Sequence, residues 1–160
     1  MTDSPRIPRS PLSLPVEPAQ RISRALRQLE RERRRYLDIR LAHLGLCGDL
    51  PMILLTLSQY PGVSQEALRT HLCLDKGNLA RLVMRLEHMG LVERHRRRAD
   101  DRRQYALELT DAGRRAADEA RAALRLWQQE VLGELTEGQE AMLLELLGGM
   151  LDKSAALLPR

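Results

Sequence analysis

A chain of 160 residues, 43% of them hydrophobic and 30% charged, is long enough for one domain with a sizeable core and too short for two independent domains. The net charge is +4, and only two of the 26 basic residues are lysines. Arginine favours planar contacts with phosphate groups and guanine edges, so this bias indicates nucleic acid, although a GC-rich genome produces the same bias.

The cysteine count, the apolar runs and the motifs of the sequence argue against several classes of protein. The two cysteines, Cys47 and Cys73, make no disulfide framework, which is typical of a cytoplasmic protein. No apolar run approaches the length of a membrane span, and prolines interrupt the N-terminus before a signal peptide could form, so no membrane partner is expected. The chain has no Gly-rich phosphate loop, nucleophile elbow or H-E-x-x-H motif, so we predict neither an enzyme nor a cofactor.

The N-terminal part divides into an arm and a long helix. Five of the eight prolines lie within the first 18 residues, so residues 1–18 are predicted to form a disordered or extended arm before a single domain at 19–155. From Ala19 to about Leu44, three- and four-residue apolar spacing predicts a helix that ends before Gly45. The apolar positions are Ile22, Leu26, Leu29, Tyr36, Leu37, Leu41 and Leu44. The other face carries arginines, which we interpret as a solvated or dimer-paired face.

The middle of the chain predicts a helix-turn-helix. A helix at about 50–60 stops at Pro61-Gly62. Ser64 has the position of an N-cap for a helix at 65–72, and Asp75 for a helix at 76–89. Two short helices joined by a tight turn form a unit whose second helix enters the major groove of DNA. In that second helix the apolar stripe consists of Leu79, Leu82, Val83, Leu86 and Met89.

Residues 91–110, LVERHRRRADDRRQYALELT, predict a two-stranded hairpin with an arginine-rich tip. Tyr105, Leu107 and Leu109 alternate with Gln104, Ala106 and Glu108, which is the period-two pattern of a half-buried strand. A hairpin that directly follows a helix-turn-helix can lie along the DNA backbone or reach into a minor groove. We therefore interpret the hairpin as a wing, in which the acidic residues orient arginine side chains.

Two helices are predicted after the hairpin. Thr110 or Asp111 opens a helix that runs to about Leu132, and Thr136 with Gln139 has the spacing of a capping box for a final helix. The buried seam of the first is expected to comprise Ala116, Ala120, Ala123, Leu124, Trp127 and Val131. The final helix is too apolar to stay exposed, so an obligate dimer is predicted. Its apolar residues are Leu143, Leu144, Leu146, Leu147, Met150 and Leu151.

Two motifs within residues 61–114 carry a resemblance to a known family. Asp101-Arg102-Arg103 is similar to the D-x-R wing signature of the MarR-type winged-helix regulators, and Leu109-Thr110 with Gly113 is similar to their L-T-x-x-G entry into the next helix. The resemblance implies a mainly α fold with a small β-hairpin, a DNA-binding lobe at 48–110 and dimerisation helices at 19–44 and 111–155. It also implies a homodimer on pseudo-palindromic double-stranded DNA. Members usually repress genes and often release DNA when a small phenolic or anionic effector, or an oxidant, acts on them.

Candidate site residues follow from the elements and the resemblance. The DNA-binding candidates are Ser64, Gln65, Lys76, Asn78, Arg81, Arg85, Arg97, Arg98, Asp101, Arg102 and Arg103. The resemblance places an effector pocket where the first helix, the second helix and helix 111–132 meet. Its candidate lining residues are Tyr36, Arg40, His43, Met52, Leu55 and Trp127. Arg40 or His43 would meet a carboxylate or phenolate there.

Two alternative functions stay open. A redox-responsive regulator of the same fold would use Cys47, and a Cys47→Ser variant would keep DNA binding after oxidation. A nonspecific architectural DNA binder would show steep salt dependence and little preference between sequences. Cys73 is interpreted as a small buried apolar residue. The pairs His43 with Cys47 and His71 with Cys73 give no reason to expect a metal site, because nothing in the sequence brings them together.

Overall fold

The computed structural model describes residues 17–96 and 105–157. Over these residues the chain is mainly helical with one two-stranded antiparallel hairpin, as predicted. The elements are α1 (Pro18–Arg40), α2 (Leu50–Gln59), α3 (Gln65–His71), α4 (Lys76–His88), β1 (Val92–Arg96), β2 (Tyr105–Leu109), α5 (Asp111–Leu132) and α6 (Glu137–Ala156). The predicted arm lies almost wholly outside the described residues. Those residues fall into two compact units, one ending at Leu124 and the other beginning at Arg125.

The first helix ends earlier than its apolar spacing predicted. α1 stops at Arg40, Leu41 leaves helical geometry, and a short 3-10 turn covers Ala42–Leu44. Gly45 then adopts a φ of +68°, which an L side chain rarely takes up. The spacing continued to Leu44 because this turn also faces the core and half-buries that leucine. The prediction of one helix from 19 to 44 is therefore wrong in its last turn.

Both caps predicted for the helix-turn-helix are present. The Ser64 hydroxyl accepts a hydrogen bond from the amide of Ala67 at 3.1 Å, and the Asp75 carboxylate accepts one from the amide of Asn78 at 2.8 Å. The capping box that begins α6 is also formed, by Thr136 and Gln139. These bonds satisfy amide groups that have no partner inside the first turn of a helix.

The prediction that Cys73 is a buried apolar residue is wrong. It lies in the turn between α3 and α4 with a φ of +52°, and its side chain is exposed rather than buried. Its thiol has a contact of 3.8 Å with the carbonyl oxygen of Thr70. The left-handed backbone that turns the chain between the two helices directs this side chain to the surface, so the apolar character of cysteine does not decide its position.

The hairpin packs on the core through alternate residues, with one departure. Val92 pairs with Leu109 and Arg94 with Leu107, and both leucines of β2 are buried as predicted. Ala106, expected on the polar face, is buried as well. The reason is a third stretch of backbone, since Ser64 forms a β-bridge with Ala106 just before α3 begins. The pattern of β2 alone contains no sign of that neighbour.

The core of the first unit is built mainly from aliphatic residues and alanine. α5 contributes Ala116, Ala120 and Ala123 to it, as predicted. Beyond Leu124 no described residue is buried, and Val131 is 43% exposed. The prediction that Val131 belongs to a buried seam is therefore wrong for the single chain. Among the described residues, no helix combines the length and apolar character needed to cross a membrane.

Candidate nucleic-acid interface

α4 has one face buried in the core and an opposite face that is mainly polar. Leu79, Val83 and Leu86 are buried in the core. Lys76 and Arg81 are exposed, and Asn78 is half-buried at the edge. Among the described residues Arg81 has no hydrogen-bond or ion-pair partner, so its guanidinium is available to a ligand outside the chain. The N-terminal half of α4 therefore presents hydrogen-bond donors to the solvent.

The entrance to α3 is already engaged in internal bonds. Ser64 caps α3 through its oxygen, and its hydroxyl proton remains for another acceptor. Glu66 accepts hydrogen bonds from Arg69, which hold the pKa of that carboxyl below its usual range, with a smaller contribution from the charge of Lys76. Glu66 thus offsets part of the positive charge at the junction of α3 and α4. Gln65, the other candidate here, is half-buried.

Unlike Arg81, Arg85 has hydrogen-bond partners within the chain. Its guanidinium donates to the carbonyl oxygen of Gly45 at 3.0 Å and to the thiol sulfur of Cys47 at 3.5 Å. Both acceptors lie in the turn between α1 and α2. The sequence pattern groups Arg85 with the predicted DNA-binding residues, whereas in the structure its guanidinium is hydrogen-bonded within the chain.

An ion pair that sequence reasoning missed fixes the hairpin to α4. The Arg94 guanidinium on β1 lies 2.8 Å from the Glu87 carboxylate on α4, and both side chains are half-buried. A half-buried pair is screened less than one in open solvent. The sequence signal is Glu87, the one acidic residue of α4. The pair holds the base of the hairpin against the last turn of α4.

The base of the hairpin is acidic on one face. Glu93 and Glu108 are cross-strand partners, and His95 lies 3.0 Å from the first carboxylate and 3.8 Å from the second. Because carboxylates repel phosphate, we expect any DNA contact of this hairpin at its tip. The predicted tip residues are outside the described residues: Arg97, Arg98, Asp101, Arg102 and Arg103.

The first unit also contains a cavity of about 290 Å³ beside α2 and α5. Its lining residues are Met52, Leu55, Thr56, Gln59, His71, Arg121 and Leu124. Two of the six predicted pocket residues, Met52 and Leu55, are among them. The polar residues at the cavity are Thr56, Gln59, His71 and Arg121, none of which the sequence reasoning selected. Arg121 lies three residues before Leu124 at the edge of the buried seam, which is the signal that could have found it.

The other predicted pocket residues have different surroundings. The Arg40 guanidinium lies 6.0 Å from the centre of the Tyr36 ring, in cation–π geometry. The His43 ring is 2.9 Å from the Glu119 carboxylate. Trp127 belongs to the second unit. Arg121 donates to the Ser58 hydroxyl at 2.6 Å and to the Asp118 carboxylate at 2.5 Å, so its charge is held at the cavity by two partners.

The cysteines and histidines do not gather into a metal site among the described residues. Cys47 and Cys73 are both free and exposed. A capped helix that follows a tight turn, with a hairpin held against it, defines a winged helix-turn-helix DNA-binding protein.

Comparison with known proteins gives the family. A model described as "MarR family" matches residues 52–105. The chain is 32% identical over 103 residues to the HTH-type transcriptional regulator BilQ of Clostridium symbiosum (strain WAL-14163), a match covering 64% of this chain and 71% of that protein. The chain belongs to the MarR family, and it is a DNA-binding transcriptional regulator rather than an enzyme.

Solved structures of related proteins share the fold. A MarR transcriptional regulator from Methanosarcina mazei Go1 is 25% identical with a TM-score of 0.76, over 86% of this chain and 98% of that one. The MepR protein of S. aureus, solved as a DNA complex, is 21% identical with a TM-score of 0.75, over 82% of this chain and 96% of that one. The likeness to MepR shows a shared fold alone.

Proposed function

We propose that the chain acts as a homodimeric, sequence-specific repressor that a small-molecule effector releases from DNA. The observation that carries the proposal is the outward face of α4. Lys76 and Arg81 project from its first two turns, opposite Leu79 and Val83. A recognition helix reads the major groove with its N-terminal residues, and these are the residues that the fold leaves exposed.

Base recognition follows from the chemistry of two side chains. Arg81 suits guanine, because two parallel N–H groups match the O6 and N7 acceptors. Asn78 suits adenine in the same way through its amide, although its half-buried position restricts its reach. Lys76 supplies a point charge that suits either phosphate or guanine. The wing arginines are proposed to contact phosphates or a narrow minor groove, and Asp101 to orient one of them.

Two exposed apolar surfaces support the dimer. In α6, Leu144 is 63% exposed and Leu146 is 61% exposed, and no residue of that helix is buried. The first half of α1 exposes Ile22, Leu26 and Leu29. Large apolar surfaces left exposed in this way mark interaction sites in folded proteins. Two copies would present two winged helices, with half-sites roughly one helical turn of DNA apart, near 10 base pairs.

The cavity beside α2 and α5 supports the proposal that an effector binds the protein. Met52, Leu55 and Leu124 give it apolar walls, and Arg121 and His71 supply groups for an anion. His71 is the last residue of α3, within the helix-turn-helix, whereas Arg121 is on α5. A phenolic or anionic molecule that contacts both side chains would therefore bias the position of α3 relative to α5. Release of DNA requires such a ligand to bind the two positions with different affinity.

Selection of bound sites from random duplex DNA tests the proposal. We expect a pseudo-palindromic operator. We expect Arg81→Ala to lose about 1–3 kcal/mol of binding free energy for each base contact removed and to relax the base preference at one position of each half-site. Arg31→Ala, an exposed arginine on α1, is the matched control and should leave the preference unchanged. Selection of no common sequence would favour the architectural alternative. Loss of binding on oxidation that Cys47→Ser prevents would favour the redox-responsive one.

A further inference from the structure

The contact between α4 and the turn before α2 joins positions that are far apart in the chain. Arg85 donates to Gly45 and Cys47 through its two terminal nitrogens, at 3.0 Å and 3.5 Å. The first bond spans 40 residues. Two bonds from one planar guanidinium define an orientation as well as a distance, which a lysine ammonium in the same place would not do.

The turn that receives these bonds is held in place by its own neighbours. Leu46 is fully buried between the two acceptor residues. The Gly48 amide donates to the Asp38 carboxylate at 2.7 Å, and Arg34 on α1 pairs with Asp49. The turn is therefore a fixed support on the protein body, and Arg85 links α4 to that support.

We propose that Arg85 is a positioning residue that sets the rotation of α4 about its axis, rather than one that neutralises a DNA phosphate. The inference rests on the proposed function, because it assumes that Arg81 on the same helix reads a base. Arg81 lies one turn before Arg85, about 6 Å along the axis at 1.5 Å per residue. With a helix radius of about 5–6 Å, a rotation of roughly 10° moves a side-chain tip by about 1 Å. A base contact must be held to within about 0.5 Å.

The positioning role and a phosphate contact predict different results for a charge-conserving substitution. Arg85→Lys keeps the positive charge but not the paired hydrogen bonds. If Arg85 positions α4, Arg85→Lys and Arg85→Ala should both lower affinity for the selected operator about tenfold, because α4 would then occupy the reading orientation only part of the time. Affinity for scrambled duplex DNA should change little, so the specificity ratio falls. The salt dependence of Arg85→Lys should match that of the wild type.

The experiment is a salt titration of the full chain and the two variants on the selected operator and on scrambled duplex, together with thermal unfolding of each protein. Full affinity in Arg85→Lys, with a loss of about one unit of salt slope per protomer on both DNAs in Arg85→Ala, would overturn the proposal in favour of a phosphate contact. A lower melting temperature with an unchanged specificity ratio would overturn it in favour of a purely structural role.

Two controls separate this inference from the proposed function. Arg81→Ala lies on the same helix and should relax a base preference, whatever Arg85 does. If the wild type selects no sequence and Arg81→Ala has no effect, then both proposals fall. If Arg81→Ala behaves as expected and Arg85→Lys behaves as the wild type, only the role of Arg85 is overturned. Cys47→Ala keeps the bond to Gly45 and should lower operator affinity less than either Arg85 variant.

Discussion

Gly113 on α5 lies directly against the backbone carbonyl of Leu91, so closely that a Cβ at position 113 would stand 1.9 Å from that oxygen. The Leu91 oxygen also accepts a hydrogen bond from the Thr110 amide at 3.1 Å. The Thr110 hydroxyl donates to Gly90 at 2.7 Å and accepts from the Gly113 amide at 3.0 Å. The L-T-x-x-G motif therefore joins the start of α5 to the turn between α4 and β1.

We expect Gly113→Ala to destabilise the fold by about 1–3 kcal/mol or more, because backbone atoms must move to admit the methyl group. Urea denaturation measures the change in the free energy of unfolding. Gly138→Ala is the matched control, since a Cβ there would meet nothing within 4 Å. That variant should be neutral, or stabilised by at most about 1 kcal/mol. Equal stabilities for the two variants would contradict the close approach at Gly113.

The wing should contribute charge rather than base preference. We expect Arg103→Ala to weaken binding to operator and scrambled DNA alike and to reduce the salt dependence by about one unit for each phosphate that the variant no longer neutralises. The measurement is a salt titration on both DNAs, with Arg31→Ala as the control for removal of a surface charge. If Arg103→Ala leaves affinity and slope unchanged, the hairpin is not a DNA-reading wing.

Assembly can be tested on α6. Leu146 and Glu145 are neighbours on different faces of that helix, so lysine at each position introduces the same side chain into different surroundings. We expect Leu146→Lys to dissociate or unfold the dimer, because it places a charge in an apolar contact, whereas Glu145→Lys should remain a dimer. Sedimentation at micromolar concentration distinguishes the states. A folded, monodisperse wild-type monomer would rule out the proposed dimer.

The effector response should depend on Arg121 more than on Arg40. Arg121 lines the cavity, whereas the Arg40 side chain is exposed beside Tyr36. With benzoate and 4-hydroxybenzoate as probes, we expect Arg121→Ala to abolish release of the operator and Arg40→Ala to respond as the wild type. DNA binding with and without each probe is the readout. The reverse result would restore the pocket predicted from the family resemblance, and a normal response in both variants would exclude an anion contact at either arginine.

The sequence by itself determined the features that arise within a few residues. Ser64, Asp75 and Thr136 cap helices because each oxygen reaches an amide three residues ahead, so spacing alone predicts the bond. The stripe of Leu79, Val83 and Leu86 likewise follows from helical periodicity. Together with the period-two alternation of residues 104–109, these features were enough to predict the order of elements, the helix-turn-helix and the hairpin.

Only the tertiary structure decided which polar groups meet. Arg85 and Gly45 are 40 residues apart, and Arg121 and Ser58 are 63 apart, and periodicity places each arginine on a face without naming its partner. Cys73 is exposed because of a backbone angle, and Ala106 is buried because another segment pairs with it. Local patterns predict for most side chains whether they face the core, since the chain covers one side of each element. Which partner lies on the other side depends on the packing of distant elements, and no local pattern contains that information.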